Sequence, residues 1–255
     1  MRKIINNELI KSKDDYLFNL LGVDNFNKES SHLRHFYNHL IKNEKKIKGN
    51  IFEFGCYRGK TLLAIALLLK KLKSKKIIYA FDNFKGFPRY HEFDKFKYLK
   101  KYKSVYRKHL ISKAIRSFII KKKITQKNIS SSEEFQKNPK KELFDKIKFL
   151  NLKNIKIIEG DFNSTVKNFF KNYSDKIFSV NLDSDLYESY NLVLPLVYEK
   201  LSLGGYIHLD EYYSLKFPGC KIAVDEFCKK NNVRVTKNTN YEWEFKRFCI
   251  LKKKT

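Results

Sequence analysis

The segment IFEFGCYRGKTLLAIALLLKKLK, residues 51–73, passes from strand to helix through a glycine loop. IFEF (51–54) is a short apolar run of strand length, and TLLAIALLLKKLK (61–73) is long enough for a helix. Glu53, Gly55 and Gly59 lie at or between them, in the order Glu-x-Gly-x-x-x-Gly. Glycines there let backbone approach a ligand and open a helix N-terminus toward it. The spacing departs from the dinucleotide fingerprint Gly-x-Gly-x-x-Gly, and Lys60-Thr61 does not complete a phosphate loop.

Downstream the same rhythm repeats. KIIYAFD (76–82), NIKIIEG (154–160), KIFSVNLD (176–183) and GYIHLD (205–210) read as strands, with helices over 186–200 and 219–231. The tail adds two β candidates, VRVTK (233–237) and YEWEFKRFCILK (241–252). Upstream, Leu33, Phe36, Tyr37, Leu40 and Ile41 recur at helical spacing within 31–48, ending at Gly49. Strands alternating with helices predict an α/β protein, with a mostly parallel sheet and helices on both faces. The domain reading is an N-terminal helical segment (1–48) and one α/β domain (49–255), with an insertion over 89–150 between the second and third strands.

The chain has 255 residues and a formal net charge of +27, from 54 Lys+Arg against 27 Asp+Glu. Within 95–153 stand 19 Lys/Arg and 4 Asp/Glu, which is +15 of that total. The stripe Tyr98, Tyr102, Val105, Tyr106, Leu110, Ala114, Ile115, Phe118 and Ile119 gives this basic insertion the pattern of an amphipathic helix. The charge raises nucleic acid as a partner. Only 8 of the 54 cations are Arg, the better phosphate fork, and the Lys-, Asn- and Ile-rich composition follows A/T-rich codons, so the bulk charge is a weak signal. The longest apolar stretch, Leu62 to Leu69, is too short to span a membrane. The N-terminus lacks the apolar core of a secretory signal. The four cysteines lack metal spacing and read as free thiols in a cytoplasmic protein.

Acids mark the ends of all five leading strands: Glu53, then Asp82, then Glu159 and Asp161, then Asp183 and Asp185, then Asp210 and Glu211. Ligands of an open parallel sheet bind outside those carboxyl ends. Asp82 stands where a ribose diol is held, and with the glycine loop it points to an adenosine ligand.

These residues are similar to the macrocin O-methyltransferase family. The resemblance rests on the glycine loop and on Phe81-Asp82-Asn-Phe84-Lys-Gly86-Phe87-Pro88 at the second strand. It continues through Glu159-Gly160-Asp161-Phe162-x-x-Thr165, Leu182-Asp183-Ser-Asp185-Leu186-Tyr187-Glu188-Ser189 and Leu203-Gly204-Gly205-Tyr206-Ile-His-Leu-Asp210-Glu211-Tyr212. Pro218-Gly219-Cys-Lys-Ile-Ala223-Val224-Asp225-Glu226-Phe227 closes it, so the similarity covers roughly 45–90 and 150–250. It implies a Rossmann-like class I methyltransferase fold with a seven-stranded, mostly parallel sheet. It further implies transfer of a methyl group from S-adenosylmethionine to a hydroxyl of a sugar, polysaccharide or natural product. The donor would lie against Glu53, Gly55, Tyr57, Arg58, Gly59, Thr61, Asp82, Phe84, Gly86, Asp161 and Phe162.

A hydroxyl needs a base or a metal to attack at neutral pH. Asp183, Asp210 and Glu211 offer carboxylates at neighbouring strand ends, an all-oxygen set suited to Mg²⁺, with Asp183 as the base. The family has Asp-Asp where this chain has Asp210-Glu211. Asp185 and Glu188 carry the spacing of a capping box for the 186–200 helix. His208, inside an apolar strand, reads as a core histidine. The expected partner is a small-molecule or glycan acceptor, and the N-terminal helix suits a homodimer. Two other readings stay open: an RNA methyltransferase using the basic insertion, and an inactive nucleotide-binding module.

Overall fold

A computed structural model describes residues 13–95, 139–214, 216–238 and 247–253, plus a small antiparallel pair, Ile4–Ile5 with Glu8–Leu9. The 98–119 stripe and residues 241–246 of the second tail candidate lie outside the described residues.

Seven strands form one sheet: β1 (Asn50–Phe54), β2 (Ile78–Asp82), β3 (Ile155–Glu159), β4 (Ile177–Leu182), β5 (Leu201–Leu209), β6 (Val235–Lys237) and β7 (Phe248–Leu251). Their order across the sheet is β3-β2-β1-β4-β5-β7-β6. The first five run parallel, while β7 is antiparallel to both β5 and β6. The mostly parallel seven-stranded α/β sheet expected from the sequence is therefore present, with an antiparallel edge.

Among the described residues seven α-helices accompany it: α1 (Lys13–Leu21), α2 (Arg34–Asn43), α3 (Lys60–Lys71), α4 (Pro139–Phe149), α5 (Phe162–Asn172), α6 (Tyr187–Lys200) and α7 (Pro218–Asn231). One apolar layer joins Phe18 of α1, Phe36 and Leu40 of α2, Leu62 and Leu69 of α3 and Leu143 of α4 to the sheet. The opposite layer holds Val166 of α5, Val193 of α6 and Ala223 of α7. β4 is buried along its whole length, as a parallel strand covered on both faces must be. The strand pattern leaves 162–172 unassigned, and the structure makes it α5. Its apolar residues are few but fall on one face, with Val166 and Phe170 buried against the sheet.

The chain leaves β1 in one direction to build β2 and β3, then crosses to the other side of β1 for β4. The switch point therefore lies between the carboxyl ends of β1 and β4, where a crevice opens. Among the described residues no helix is long and apolar enough to cross a membrane. All four cysteines are free thiols.

Candidate active site

A cavity of about 380 Å³ occupies that crevice. It is within the range of small-molecule sites. Gly55, Tyr57, Arg58 and Thr61 line it from the β1–α3 side, Asp82, Phe84 and Gly86 from the loop after β2, and Asp161 and Phe162 from the start of α5. Asp183 and Glu211 line it from β4 and β5. Glu53, Gly59 and Asp210 do not line it.

The glycine loop is shaped by close approach. Gly55 has φ +89°, and a Cβ there would overlap the carbonyl oxygen of Asp183. Only glycine lets the exits of β1 and β4 press together. Gly59 caps α3 with φ +79° and no side-chain cap bond. Asp82 fixes this loop from β2. Its Oδ2 accepts from Cys56 N (2.7 Å) and Tyr57 N (2.8 Å), and its Oδ1 accepts from Phe84 N (2.7 Å). Asp82 thus locks two loops together at the place expected for a ribose-holding acid. Tyr57 (φ 44°), Phe84 (φ 53°) and Asp185 (φ 63°) all have left-handed backbone and all line the cavity. Such strain clusters where surrounding structure holds a site in one shape.

Arg58 pairs with Glu142 of α4 at 3.2 Å, and Lys140 of α4 pairs with Glu159 of β3 at 2.5 Å. Leu143 of α4 packs where a Cβ on Gly59 would fall. The carboxyl-terminal end of the insertion is therefore docked on the glycine loop. Asp161 caps α5 by accepting from Asn163 N at 2.8 Å, and the Phe162 ring meets Phe54 edge-on at 5.9 Å.

The carboxylates of Asp183, Asp185 and Glu211 lie within 4.8 Å of one another. Burial, and then the charges of Asp210 and Asp185, raise Asp183 well above the usual carboxylate range. Burial and the Asp210 charge push Asp185 up to about 8. Glu211 is raised as well, by burial and by Asp210 and Asp183, with the Tyr190 hydroxyl 3.0 Å from its Oε2. Asp210 stands beside this group with a different environment. His208 Nε2 lies 3.3 Å and Arg247 Nη1 3.5 Å from its Oδ1. Burial alone would raise Asp210, but these partners outweigh it and hold it below the usual range.

The capping box expected from Asp185 and Glu188 is not formed. Asp185 turns its carboxylate to Asp183 and Glu211, and α6 has Leu186 at its N-cap without a side-chain bond. Asp94, from a short 3-10 turn (Glu92–Asp94), takes the role instead. Its Oδ1 accepts from Tyr187 N at 3.1 Å and its Oδ2 from His91 N at 3.2 Å. Burial pushes Asp94 up to about 6, with those N–H groups pulling the other way. Asp94→Ala is expected to lower unfolding stability by about 1–2 kcal/mol in a denaturant titration, and Asp94→Asn by less, because it keeps an acceptor. Sequence reading also missed His32. It lines the cavity from the loop before α2, beside the charges of Asp210 and Asp24. Nothing in its local sequence signals this, since the approach comes from folding.

Glu53 is fully buried and accepts from the Thr61 hydroxyl. Burial raises it to about 8. Its folded value exceeds its unfolded one, so its contribution is present below about pH 4.5 and is lost as pH rises through 8. Glu53→Gln keeps the acceptor for Thr61. Its melting temperature should match wild type near pH 4.5 and exceed it increasingly toward pH 8. A constant difference across that window would count against a buried, titrating Glu53.

A family model described as macrocin-O-methyltransferase matches residues 117–240, which bears out the resemblance seen in the sequence. Demethyldecarbamoylnovobiocin O-methyltransferase of Streptomyces niveus is 41% identical over 59 residues. That match spans 23% of this chain and 22% of the relative's length. Among solved structures, the O-methyltransferase NovP superposes with a TM-score of 0.58 at 22% identity, over 87% of this chain and 78% of that one. The calicheamicin methyltransferase CalS11 gives a TM-score of 0.53 at 19% identity, over 95% and 94%. The fold is thus the Rossmann-like fold of class I methyltransferases.

Proposed function

We propose that this chain, whose residues 117–240 match the macrocin O-methyltransferase family, transfers a methyl group from S-adenosylmethionine to a hydroxyl of a sugar or natural-product acceptor in the cytoplasm. The observation that carries the reading is one cavity at the switch point, with the glycine loop and Asp82 on one side and a three-carboxylate cluster on the other.

The donor would lie over the Gly55–Gly59 loop, with its ribose toward Asp82 and its adenine near Phe162. The acceptor would enter from the side of His32 and Asp183. Methyl transfer is an in-line displacement, so holding donor and acceptor in line supplies much of the rate. The acceptor oxygen forms a bond to the methyl carbon as the carbon–sulfur bond breaks, and S-adenosylhomocysteine leaves. Asp183 takes the hydroxyl proton.

The cluster fits a divalent cation. Three carboxylates forced together in partial burial stay ionised only with positive charge nearby, and oxygen donors suit a hard ion such as Mg²⁺. Asp183, Asp185 and Glu211 would hold it, with Asp210 adjacent. Its charge would stabilise the alkoxide form of the acceptor.

Titration calorimetry with S-adenosylmethionine, with and without EDTA, tests the reading. Binding is expected, with turnover lost on chelation. No binding of the donor would sink the methyltransferase reading, and turnover unchanged by EDTA would remove the metal.

A further inference from the structure

The sheet face that carries α2 and α3 holds a row of polar side chains inside an apolar layer. In register, Glu53 of β1 pairs with Asn181 of β4, and Asn181 pairs with His208 of β5. Registered neighbours share a face, so the three stand side by side, about 4.8 Å apart from strand to strand. Ser179 lies two residues before Asn181, on the same face. Glu53, Ser179 and Asn181 are 0% exposed and His208 is 1% exposed. Leu62, Leu63 and Phe36 belong to the surrounding layer.

Two of these side chains are satisfied at one end only. Glu53 accepts from Thr61, and His208 Nε2 reaches Asp210. Glu53 Oε2, Ser179 Oγ, both amide atoms of Asn181 and Nδ1 of His208 have no hydrogen-bond partner. The Asn181 amide comes near enough to Glu53 to lower its pKa, yet closes no bond. Buried polar atoms are rarely left so, and a cluster of them in one place is what an internal water needs, with two to four polar partners each.

The row has a direction. Thr61, at one end, lines the cavity beside the glycine loop. Asp210, at the other, adjoins Glu211, which lines the cavity among the acids. In the neutral imidazole with its proton on Nε2 toward Asp210, Nδ1 is an acceptor that needs a donor. Asn181 sits between the two ends and does not line the cavity.

We propose that this row is a water-bridged polar arc beneath the cavity, joining the glycine loop to the acid rim, with Asn181 and His208 as positioning residues. The arc fixes the His208 tautomer, and through it the direction of Asp210. At its other end it holds Glu53 against Thr61. The positioning role rests on the methyltransferase reading, while the bridging waters do not.

A high-resolution crystal structure of the full chain should show ordered waters within hydrogen-bond distance of the Asn181 amide, His208 Nδ1 and Glu53 Oε2. Asn181→Leu, similar in size but apolar, should lose them and bind S-adenosylmethionine about tenfold more weakly by calorimetry. Asn181→Ser, which readmits water, should recover most of that loss, a rescue that simple packing would not produce. A dry row in the wild type overturns the arc. Wild-type affinity and turnover in Asn181→Leu overturn the positioning role. If the Leu variant does not fold, the wild-type waters and the Ser variant decide both points. A wild-type chain that binds no donor overturns the methyltransferase reading and the positioning role together, and leaves the waters to judge the arc alone.

Discussion

Asp183→Asn should cut methyl transfer by about a thousandfold while leaving the affinity for S-adenosylmethionine nearly intact. A positioned general base contributes 10²–10⁴-fold, so about 10³ is the middle of that range. The substitution is close to isosteric. The backbone bond from Asp183 N to Phe54 O, 3.0 Å, does not involve the side chain. What changes is charge. Asn cannot take the acceptor proton, and the cluster with Asp185 and Glu211 loses one of its three carboxylates. Removing that charge also relieves repulsion, so the metal-free variant should melt at a higher temperature than wild type. The paired result, activity lost and stability gained, separates a working acid from a structural one. S-adenosylhomocysteine formation with an accepting hydroxyl compound measures the first, and thermal unfolding in EDTA the second. Activity within tenfold of wild type would remove Asp183 as the base.

The second large effect is on Gly55. Gly55→Ala should destabilise the fold by about 3 kcal/mol or more and abolish measurable donor binding. Left-handed backbone costs a non-glycine residue about 1–3 kcal/mol. The new methyl would also overlap the Asp183 carbonyl oxygen, which is backbone and cannot swing aside. Gly55 cannot move either, since its N–H donates to Phe81 O at 2.9 Å. The strands must part, and the cavity opens along its floor. Gly59→Ala makes an instructive contrast. Its φ is similar, but the obstacle is the tip of the Leu143 side chain, which can rotate. Gly59→Ala should therefore cost less than Gly55→Ala in denaturant unfolding. Equal effects would argue that backbone strain, rather than close approach, explains both glycines.

Much of this architecture was legible because the signals are local. The runs that became β1, β2, β3 and β4 are apolar segments bounded by glycine, lysine or aspartate. β4, buried on both faces, must read that way, whereas β3 at the sheet edge has no fully buried residue and keeps Lys156 exposed. α5 was missed because its few buried residues are spread through Asn, Ser and Lys. Asp185 beside Glu188 had the right spacing for a cap, but spacing does not say which way a residue at φ 63° turns its side chain. The cap came from Asp94, 93 residues earlier in the chain, and no local pattern carries such a contact.

The sequence by itself determined that five strands end in acids and that one glycine loop precedes a buried helix. Those facts depend on neighbours along the chain and on periodicity. Only the tertiary structure decided which acids meet. Asp183, Asp185 and Glu211 converge because β4 and β5 are parallel neighbours in register at Leu182 and Leu209, so the two chains leave the sheet side by side at one rim. It also set Asp210 apart by placing His208 and Arg247 against it. Charge can be counted in one dimension, but burial and repulsion exist only once the chain is folded.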